Sequence, residues 1–429
     1  MKLTQFYSAS PVCSPSRGSL LTGRYPVKHG VTRVLFPGND KGLPSREITI
    51  AEKLKELGYQ TTCIGKWHLG HKEEYLPVNQ GFDSYFGVPY SNDMPIDPSM
   101  KLSANIVLRN GMTREMISNF DDLEIENKRH QTPLMENDEV IEFPADQSTL
   151  TKRNTEKALD FIRENVDHPF FLYLPYTMPH IPLFASEDFI DSSIRGLYGD
   201  VVEEIDWSVG QILGLLKQLR IDDTIVLFTS DNGPWLTERL NGGSSGLLRE
   251  GKFTTWEGGV REPAMCWWPG KILPGTISSQ MTSTLDLFPT LVRLAGGDVT
   301  SSDIDGYDIS SVFFGTGESP RKEMAYYVDE TLYAYREGAW KIHFFTKSPL
   351  ENKWQGEKQE PPLLFNVETD PSEQYNLNDK HPELLNELIK KAEKYDTKSH
   401  RTYCRHPEPV SRLCKESGQD KAEYHRFHV

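Results

Sequence analysis

Long apolar runs, cysteine and positive charge are all scarce in this sequence. None of its apolar stretches reaches the roughly 20 residues that a transmembrane helix requires, and the opening segment MKLTQFYSASPV lacks the apolar core of a signal peptide. Five cysteines in 429 residues are too few for a disulfide scaffold. A net charge of -15 would repel nucleic acids and anionic membranes. We therefore expect neither a membrane nor a nucleic acid as partner.

The residues that are present are typical of a globular protein. Hydrophobic residues make up 37%, aromatic residues 11% and charged residues 25%, which excludes a disordered or collagen-like chain. Because the overall field repels anions, a polyanionic substrate would have to bind in a local basic pocket. Clusters of lysine, arginine and histidine are therefore informative.

The stretch CSPSRGSLLTGR, residues 13–24, combines a helix start with a misplaced charge. Ser14 is a good N-cap and is followed by proline, so we predict a helix over residues 15–22 that glycine ends. Cys13 would lie at the mouth of this helix, and Arg17 in its first turn, where the helix dipole disfavours a cation. This arrangement indicates an external anionic partner beside Arg17.

Amphipathic helices alternate with apolar strands over the first 320 residues. The helix–strand steps are 48–57 then 59–67, 155–166 then 169–176, and 201–219 then 223–233. Such alternation predicts an α/β fold with a large, mostly parallel sheet sandwiched by helices. Ligands in such sheets bind beyond the carboxyl ends of the strands. The polar residues that follow the predicted strands are Lys66, His68, His180, Asp231 and Asn232.

Two further segments have a different texture. Residues 91–147 are polar and lack periodicity, so we predict an irregular insertion that rims a pocket. From about Lys322, short alternating strands followed by a helix over 382–395 predict a small antiparallel sheet with one helix packed on it. We therefore divide the chain into a catalytic domain, residues 1–320, and a C-terminal α+β subdomain, residues 321–429.

Six motifs carry a resemblance to a known family. They are CSPSRGSLLTGR (13–24), GKWHLG (65–70), PHIPL (179–183), TSDNG (229–233), GKFTTWEGGVREP (251–263) and VETDPSEQYNL (367–377). The first resembles the sulfatase signature C-x-P-x-R followed by T-G-R, and all six are similar in order and spacing to those of type I sulfatases of the arylsulfatase A and N-acetylgalactosamine-6-sulfatase group. The resemblance covers nearly the whole chain. It implies an alkaline-phosphatase-like fold and hydrolysis of sulfate monoesters of a sugar or an aryl alcohol.

By this resemblance, Cys13 is the residue that a formylglycine-generating enzyme oxidises to Cα-formylglycine. The aldehyde hydrate has two geminal hydroxyls, of which one attacks sulfur and expels the alcohol, and the other breaks down the resulting sulfate ester. Pro15 and Arg17 match the signal for this modification, and Arg17 would also hold the hydrate. A thiol phosphatase loop requires Cys-x5-Arg, whereas the interval here is Cys-x3-Arg.

The resemblance also assigns the charged residues around the sulfate. Lys66 and Lys252 would neutralise sulfate oxygens, and His68 would bond a formylglycine hydroxyl. His180 and Lys252 would face the bridging oxygen, so one of them would protonate the leaving group. Arg24 and Arg249 are structural candidates.

The metal site implied by the resemblance is incomplete. Asp231, Asn232 and the modified Cys13 would bind calcium, or less well magnesium, although a DNG sequence alone is more often a turn. Family members begin with a strand that ends in an Asp-Asp pair of further ligands, and here neither 121–122 nor 222–223 replaces it. We expect a chain truncated at an internal Met, with apolar neighbours of the absent strand left uncovered, or a degenerate homologue; the intact motifs favour truncation.

Two other functions remain open at this stage. A catalytically impaired homologue would bind sulfoglycans through Arg17, Lys66 and Lys252 as an anion pocket. Hydrolysis of phosphomonoesters or phosphodiesters is disfavoured by Cys13, since Ser or Thr commonly takes that place. The full-length form is expected to be secreted, periplasmic or lysosomal, with a homodimer allowed. Cys404, His406 and Cys414 lack a second pair of zinc ligands, so a disulfide or free thiols are favoured.

Overall fold

The structure, a computed structural model, describes residues 1–396 apart from 125, 127, 300–302 and 349–355. Its strands are β1 (Lys2–Tyr7), β2 (Gln60–Lys66), β3 (Ser84–Val88), β4 (Leu102–Leu108), β5 (Leu134–Glu136), β6 (Glu139–Phe143), β7 (Phe170–Tyr173), β8 (Val226–Thr229), β9 (Arg261–Trp267), β10 (Ile277–Ser278), β11 (Thr282–Ser283), β12 (Glu323–Val328), β13 (Thr331–Glu337), β14 (Trp340–Thr346) and β15 (Glu357–Asn366). Its helices are α1 (Cys13–Thr22), α2 (Pro26–His29), α3 (Ile50–Glu56), α4 (Arg114–Ser118), α5 (Leu150–Glu164), α6 (Gly196–Leu219), α7 (Glu257–Val260), α8 (Leu287–Leu294), α9 (Ser310–Phe314) and α10 (Pro382–Ala392). The predictions on Cys404, His406 and Cys414 lie outside the described residues.

Three sheets organise these elements. The first has the order β4-β6-β5-β3-β2-β7, in which β3, β2 and β7 run parallel and β5 is antiparallel to both of its neighbours. The second has the order β10-β1-β9-β8, with β11 also paired to β1. Its antiparallel strand β9 lies between β1 and β8. The α/β class is therefore confirmed, with the strands before residue 320 in two mixed sheets. Strands β2 and β7, which precede Lys66 and His180, run parallel, whereas β8, which precedes Asp231, pairs antiparallel with β9.

Helices cover the sheets on both sides. Apolar residues of α5 and α6 pack against β2, β3 and β7 in one core cluster. Apolar residues of α3, α8 and α9 pack against β1, β8 and β9 in another. The three predicted helix–strand steps are present as α3–β2, α5–β7 and α6–β8. None of the helices formed by described residues is both long and apolar enough to cross a bilayer.

The small C-terminal sheet is confirmed. Strands β12 to β15 form an antiparallel sheet in sequence order, and α10 packs on β13 and β14. Tyrosines of β12 and β13 share a core cluster with Leu385 and Leu388 of α10 and with Tyr7 of β1. Burial of these apolar surfaces joins this sheet to the second sheet.

The helix after β1 begins earlier than predicted. Cys13 is its first residue, and the N-cap is the extended residue Val12, which offers no side-chain cap. The hydroxyl of Ser14 instead accepts a hydrogen bond from the backbone N–H of Leu35 at 3.1 Å, so it is not free to cap. Gly23 ends the helix at a φ of 67°, as predicted, because only glycine adopts that conformation readily.

The prediction of an irregular insertion over residues 91–147 is wrong. This segment forms β4, β5 and β6, which extend the first sheet as half of its strands. The strands are short, and much of β4 is exposed, so apolar and polar residues do not alternate along it. The segment belongs to the same sheet, which agrees with the expectation that it is not a separate domain.

Two apolar strands keep an open edge within the described part of the chain. There, β7 pairs only with β2, and β8 only with β9. All four residues of each strand are half buried. Strands between two helix layers are normally buried on both faces, so β7 and β8 are more exposed than is usual for such strands.

Candidate active site

The predicted site residues follow strand ends that lie side by side. Lys66 ends β2 and is followed closely by His68, while the loop after β7 carries His180. Gly65 has a φ of 124°, and a Cβ there would lie 2.0 Å from the carbonyl oxygen of Pro175. This close approach lets the N–H of Lys66 donate to that oxygen at 2.7 Å, which ties the two segments together.

Arg17 connects the first helix to two strand ends. Its Nε donates to Asp231 Oδ2 at 2.7 Å, and a terminal nitrogen donates to the backbone oxygen of Lys66 at 2.6 Å. Burial opposes its charge, but Asp231 outweighs it and raises the pKa of Arg17. Asp231, an internal carboxylate, thus compensates for the unfavourable helix dipole at Arg17, and the external anion expected there stays a prediction.

A hydrogen-bonded chain of side chains links the two lysines of the site. The ammonium of Lys66 donates to Ser91 Oγ at 3.3 Å, and Ser91 Oγ lies 3.1 Å from His180 Nδ1. On the other side of the ring, Lys252 Nζ lies 2.8 Å from His180 Nε2. Because lysine only donates, Nε2 accepts, and the Nδ1 hydrogen points to the backbone oxygen of Ile181 at 2.7 Å. His180 is therefore a neutral imidazole held by Lys252.

The electrostatics agree with a neutral His180. Burial lowers its pKa well below the ordinary value, and the charges of Lys252 and Lys66 lower it further. Burial also lowers the pKa of Lys66, and the charge of Arg17 lowers it further. The buried Cys13 lies within electrostatic reach of both Arg17 and Lys66.

His68 has one ring nitrogen without a partner. Its Nε2 hydrogen donates to the backbone oxygen of Leu35 at 2.9 Å, while the buried Nδ1 accepts no hydrogen bond. Burial, together with the charges of Lys66 and Arg17, lowers the pKa of His68 well below its ordinary value. A backbone φ of 61°, rare for a residue with a Cβ, indicates local strain at this position. His68 therefore offers a neutral, unused acceptor.

Asp231 and Asn232 offer oxygens suited to a hard cation. Burial alone would raise the pKa of Asp231, but Arg17, Lys66 and Lys252 outweigh it and lower the pKa, so the carboxylate stays ionised. The side-chain oxygen of Asn232 is buried without a hydrogen bond, while its amide nitrogen donates to Gly233 at 3.0 Å. Such an orphaned oxygen next to a carboxylate fits a calcium ion.

The ligand set is nevertheless partial. Across the described residues, no group of three or more His, Cys, Asp or Glu side chains is placed to hold a metal. The pairs at 121–122 and 222–223 are exposed, which agrees with the expectation that neither supplies the missing ligands. Calcium usually takes about six to eight oxygens, so Asp231 and Asn232 account for part of a site only.

Three residues near the site were missed from the sequence. Ser91 bridges Lys66 and His180, and Asp93 Oδ1 lies 3.9 Å from His180 Nδ1. Buried Glu262 of β9 has a pKa raised well above its ordinary value by burial and by Asp231. The position of Ser91 and Asp93 shortly after β3 was a usable signal, since polar residues after parallel strands gather at one edge.

The two structural candidates lie outside this cluster. Arg24 pairs with Glu47 at 2.6 Å. Arg249 donates to the backbone oxygen of Glu373 at 2.8 Å, and its guanidinium lies 3.8 Å from the ring centroid of Trp256. The remaining predicted side chains are brought together, and we call them the sulfate pocket: Cys13, Arg17, Lys66, His68, His180, Asp231, Asn232 and Lys252.

Comparisons with known proteins match most of the chain. The family profile described as "Sulfatase" matches residues 1–297, and that described as "C-terminal region of aryl-sulfatase" matches residues 319–419. The chain is 38% identical to arylsulfatase A of Homo sapiens over 399 residues, which are 88% of this chain and 76% of that protein. It is 38% identical to N-acetylgalactosamine-6-sulfatase of Canis lupus familiaris over 427 residues, covering 90% and 77%.

Solved structures of sulfatases are also similar to this chain over most of its length. PsFucS1 sulfatase from Pseudoalteromonas sp. superposes with a TM-score of 0.78 at 27% identity, over 93% of this chain and 83% of that chain. Ps i-CgsB in complex with k-i-k-neocarrahexaose superposes with a TM-score of 0.75 at 28% identity, over 92% and 84%. The likeness extends over the catalytic and C-terminal parts together.

Proposed function

The chain belongs to the sulfatase family, and from this premise we propose that it hydrolyses sulfate monoesters of a sugar with Cys13, converted to formylglycine, as its nucleophile. Its fold is the alkaline-phosphatase-like fold of this family, and its reaction class is sulfate ester hydrolysis. The observation that carries the finer proposal is the convergence of three buried cations and two neutral imidazoles around Cys13.

The three cations would bind the sulfate group. Arg17, Lys66 and Lys252 are buried, and the carboxylate of Asp231 balances only one of them. In a buried site, charges fixed in place before the reaction stabilise the negative charge that develops on sulfate oxygens. An incoming sulfate monoester, itself an anion, therefore relieves an existing excess of positive charge.

The pair of Lys252 and His180 would supply the proton to the leaving alcohol. The proton on Lys252 Nζ is shared with His180 Nε2 at 2.8 Å, and burial keeps the imidazole neutral. Either member can pass that proton to the bridging oxygen while the other accepts or returns it. Trp235, half buried, lies against His180 with ring centroids 5.5 Å apart, so an aromatic surface is present beside the leaving group.

Two groups would orient residue 13. The free Nδ1 of His68 can accept a hydrogen bond from a hydroxyl, and Arg17 can donate one. The formylglycine hydrate supplies two geminal hydroxyls, one to attack sulfur and one to release sulfate afterwards. Asp231, ionised in the pocket, can take the proton of the attacking hydroxyl.

Asp231 and Asn232 would hold a calcium ion, with residue 13 as a further ligand. A bound calcium ion would polarise a sulfate oxygen.

A sugar is the favoured alcohol. The neighbour Ps i-CgsB was solved with the oligosaccharide k-i-k-neocarrahexaose, and N-acetylgalactosamine-6-sulfatase is among the relatives. Amphipathic aromatic rings such as Trp235 pair an apolar face with a polar edge, which suits the faces of a sugar ring.

Mass spectrometry of the peptide that contains Cys13 tests the proposal. The chain is produced with a formylglycine-generating enzyme, and we expect an aldehyde in place of the thiol at Cys13 together with hydrolysis of a sulfated monosaccharide. Cys63 in the same digest serves as an internal control and stays a thiol, since it is buried in the core outside the C-x-P-x-R motif. An unmodified Cys13 in a protein that binds but does not cleave sulfated sugar would overturn the proposal in favour of a sulfoglycan-binding protein.

A further inference from the structure

The motif around Glu373 has no part in the chemistry above, yet Glu373 is fully buried. It lies in the turn after β15, and its backbone φ is 48°. Such a conformation is uncommon for a residue with a Cβ and persists only when its surroundings enforce it. The contacts of Glu373 show what enforces it.

Glu373 binds both ends of the segment that carries Lys252, residues 249–257, which we call the Lys252 loop. At one end, Arg249 donates to the backbone oxygen of Glu373 at 2.8 Å. At the other end, the backbone N–H of Glu257 donates to Glu373 Oε2 at 2.6 Å. A backbone hydrogen bond also joins the two ends directly, since the N–H of Gly258, next to Glu257, donates to the oxygen of Arg249 at 2.8 Å. The loop is thus closed over a single residue, with the carboxylate of Glu373 at one end and its backbone oxygen at the other.

Strand β14 completes this arrangement from the C-terminal sheet. Lys341 Nζ donates to Glu257 Oε1 at 2.9 Å and lies 3.3 Å from Glu373 Oε1. His343 Nε2 lies 2.7 Å from Glu373 Oε1, and its ring packs on Trp256 with centroids 4.2 Å apart. All four charged or titratable side chains are fully buried. We call Glu257, Lys341, His343 and Glu373 the clamp.

The loop between these ends combines strained residues with contacts to other segments. Glu250 and Phe253, on either side of Lys252, have φ angles of 55° and 76°. The N–H of Lys252 donates to the oxygen of Pro234 at 2.9 Å, and that of Phe253 donates to the oxygen of Pro11 at 3.0 Å. Strained residues persist only where the surroundings enforce them, so the loop depends on these contacts together with those of the clamp at its ends.

We propose that Glu373 is a positioning residue for Lys252, through which the C-terminal sheet sets the distance from Lys252 Nζ to His180 and to the leaving group. The inference rests on the proposed function, because it assigns Lys252 a share in protonating the alcohol. It gives the C-terminal motif a catalytic purpose without contact to the substrate. A displacement of about 1 Å in such a group is enough to reduce a rate by about a hundredfold.

Leaving-group dependence separates positioning from stability. An alkyl or sugar sulfate needs a proton on its departing oxygen, whereas 4-nitrophenyl sulfate leaves as a stable anion and needs none. Glu373→Ala is therefore expected to lower kcat for the sugar sulfate by about a hundredfold and for 4-nitrophenyl sulfate by about tenfold or less. A loss of folded protein would lower both by the same factor, and that equal loss would overturn the proposal.

The matched control is Glu323→Gln in the same sheet. Glu323 accepts from Tyr335 at 2.6 Å and from Lys394 at 2.6 Å, and both of these partners lie outside the Lys252 loop. It is expected to change both substrates equally. In a Lys252→Ala background, Glu373→Ala should add less than about a twofold further loss, since coupled residues are not additive. A full additional loss there would also overturn the proposal.

A second variant keeps the test decisive. Where Glu373→Ala gives no folded protein, Glu373→Gln keeps one acceptor oxygen for the N–H of Glu257 and is expected to show the same preference at about a tenfold size. If the unaltered protein, with formylglycine verified, cleaves neither substrate, then the proposed function fails. If it cleaves both and the variants lose both equally, only the positioning role fails.

Discussion

The sulfate pocket and the clamp are both buried and both rich in charge, but they balance that charge differently. In the pocket, Arg17, Lys66 and Lys252 face one ionised carboxylate, that of Asp231, within the cluster. In the clamp, two carboxylates face Lys341, and the guanidinium groups of Arg261 and Arg336 lie 3.4 Å and 4.0 Å from Glu257. Cations therefore outnumber carboxylates among the pocket residues, whereas in the clamp each carboxylate lies directly against a cation.

Hydrogen bonding shows a similar contrast. In the pocket, His68 Nδ1 and the side-chain oxygen of Asn232 have no partner, although both are buried. In the clamp, both oxygens of Glu373 are bonded, and Glu257 accepts from Tyr7 at 2.6 Å as well as from Lys341, although the buried Nδ1 of His343 has no partner. Unsatisfied buried groups cost free energy that a ligand can recover, whereas satisfied carboxylates hold a structure in place.

The pKa shifts follow from this difference. In the pocket, burial and neighbouring cations together lower the pKa of His68 and His180 well below the ordinary value. In the clamp, burial raises the pKa of Glu257, but Lys341 and Arg336 outweigh it and lower the pKa to about 2. Several cations gathered in one buried cluster indicate a binding site for an anion. Carboxylates paired with cations, as in the clamp, indicate a structural contact between two parts of the chain.

The largest expected effect is the removal of a pocket cation. Lys252→Ala is expected to reduce sulfate ester turnover by about a thousandfold, because it removes both a contact to the sulfate and the proton shared with His180. Steady-state rates on a sulfated monosaccharide measure this loss. The free energy of unfolding should change by less than about 1 kcal/mol, since the substitution also relieves repulsion by Lys66. Unchanged rates would remove Lys252 from the active site.

The next largest effect is the loss of stability when the clamp loses its lysine. Lys341→Met is expected to lower the free energy of unfolding by about 3 kcal/mol, because it leaves Glu257 and Glu373 buried without their shared cation. Urea unfolding of the formylglycine form measures it, with Lys391→Met as the control, since Lys391 forms its ion pairs at the surface. Equal stability of the two variants would mean that the clamp does not hold the subdomain.

Local sequence patterns were sufficient to predict much of the fold and of the candidate site. Helix α3 was predictable because its apolar positions recur at helical spacing and because Thr49 and Glu52 form a capping box. The site residues that follow β2 and β7 were predictable because these strands run parallel and end at one edge, and the same signal could have found Ser91 after β3. The strands β4 to β6 were not predictable, since polar residues interrupt the period along β4.

The clamp could not be predicted for a different reason. Glu257 and Glu373 are separated by 116 residues, and each alone is an ordinary charged residue in a loop. Their pairing exists only once β14 places Lys341 between them. Periodicity reports which face of an element is buried, but it carries no record of which distant charges meet there.

The smallest expected effect concerns pH and separates the histidines of the two clusters. His68 has a pKa well below the ordinary value of about 6.5 in the folded protein and returns to that value on unfolding. Below pH 6.5 the unfolded chain thus binds a proton that the native protein does not, so stability is complete above that pH and is lost as the pH falls. The slope is at most about 1.4 kcal/mol per pH unit for each such histidine.

His68→Gln should therefore flatten the fall in unfolding free energy between about pH 6.5 and 5. His343→Gln should flatten it less, because burial lowers the pKa of His343 while Glu373 raises it again. Exposed His168→Gln is the control and should leave the slope unchanged. Urea titrations at each pH measure all three. A larger flattening by His343→Gln than by His68→Gln would contradict the contrast, because it would place the greater electrostatic cost in the clamp rather than in the pocket.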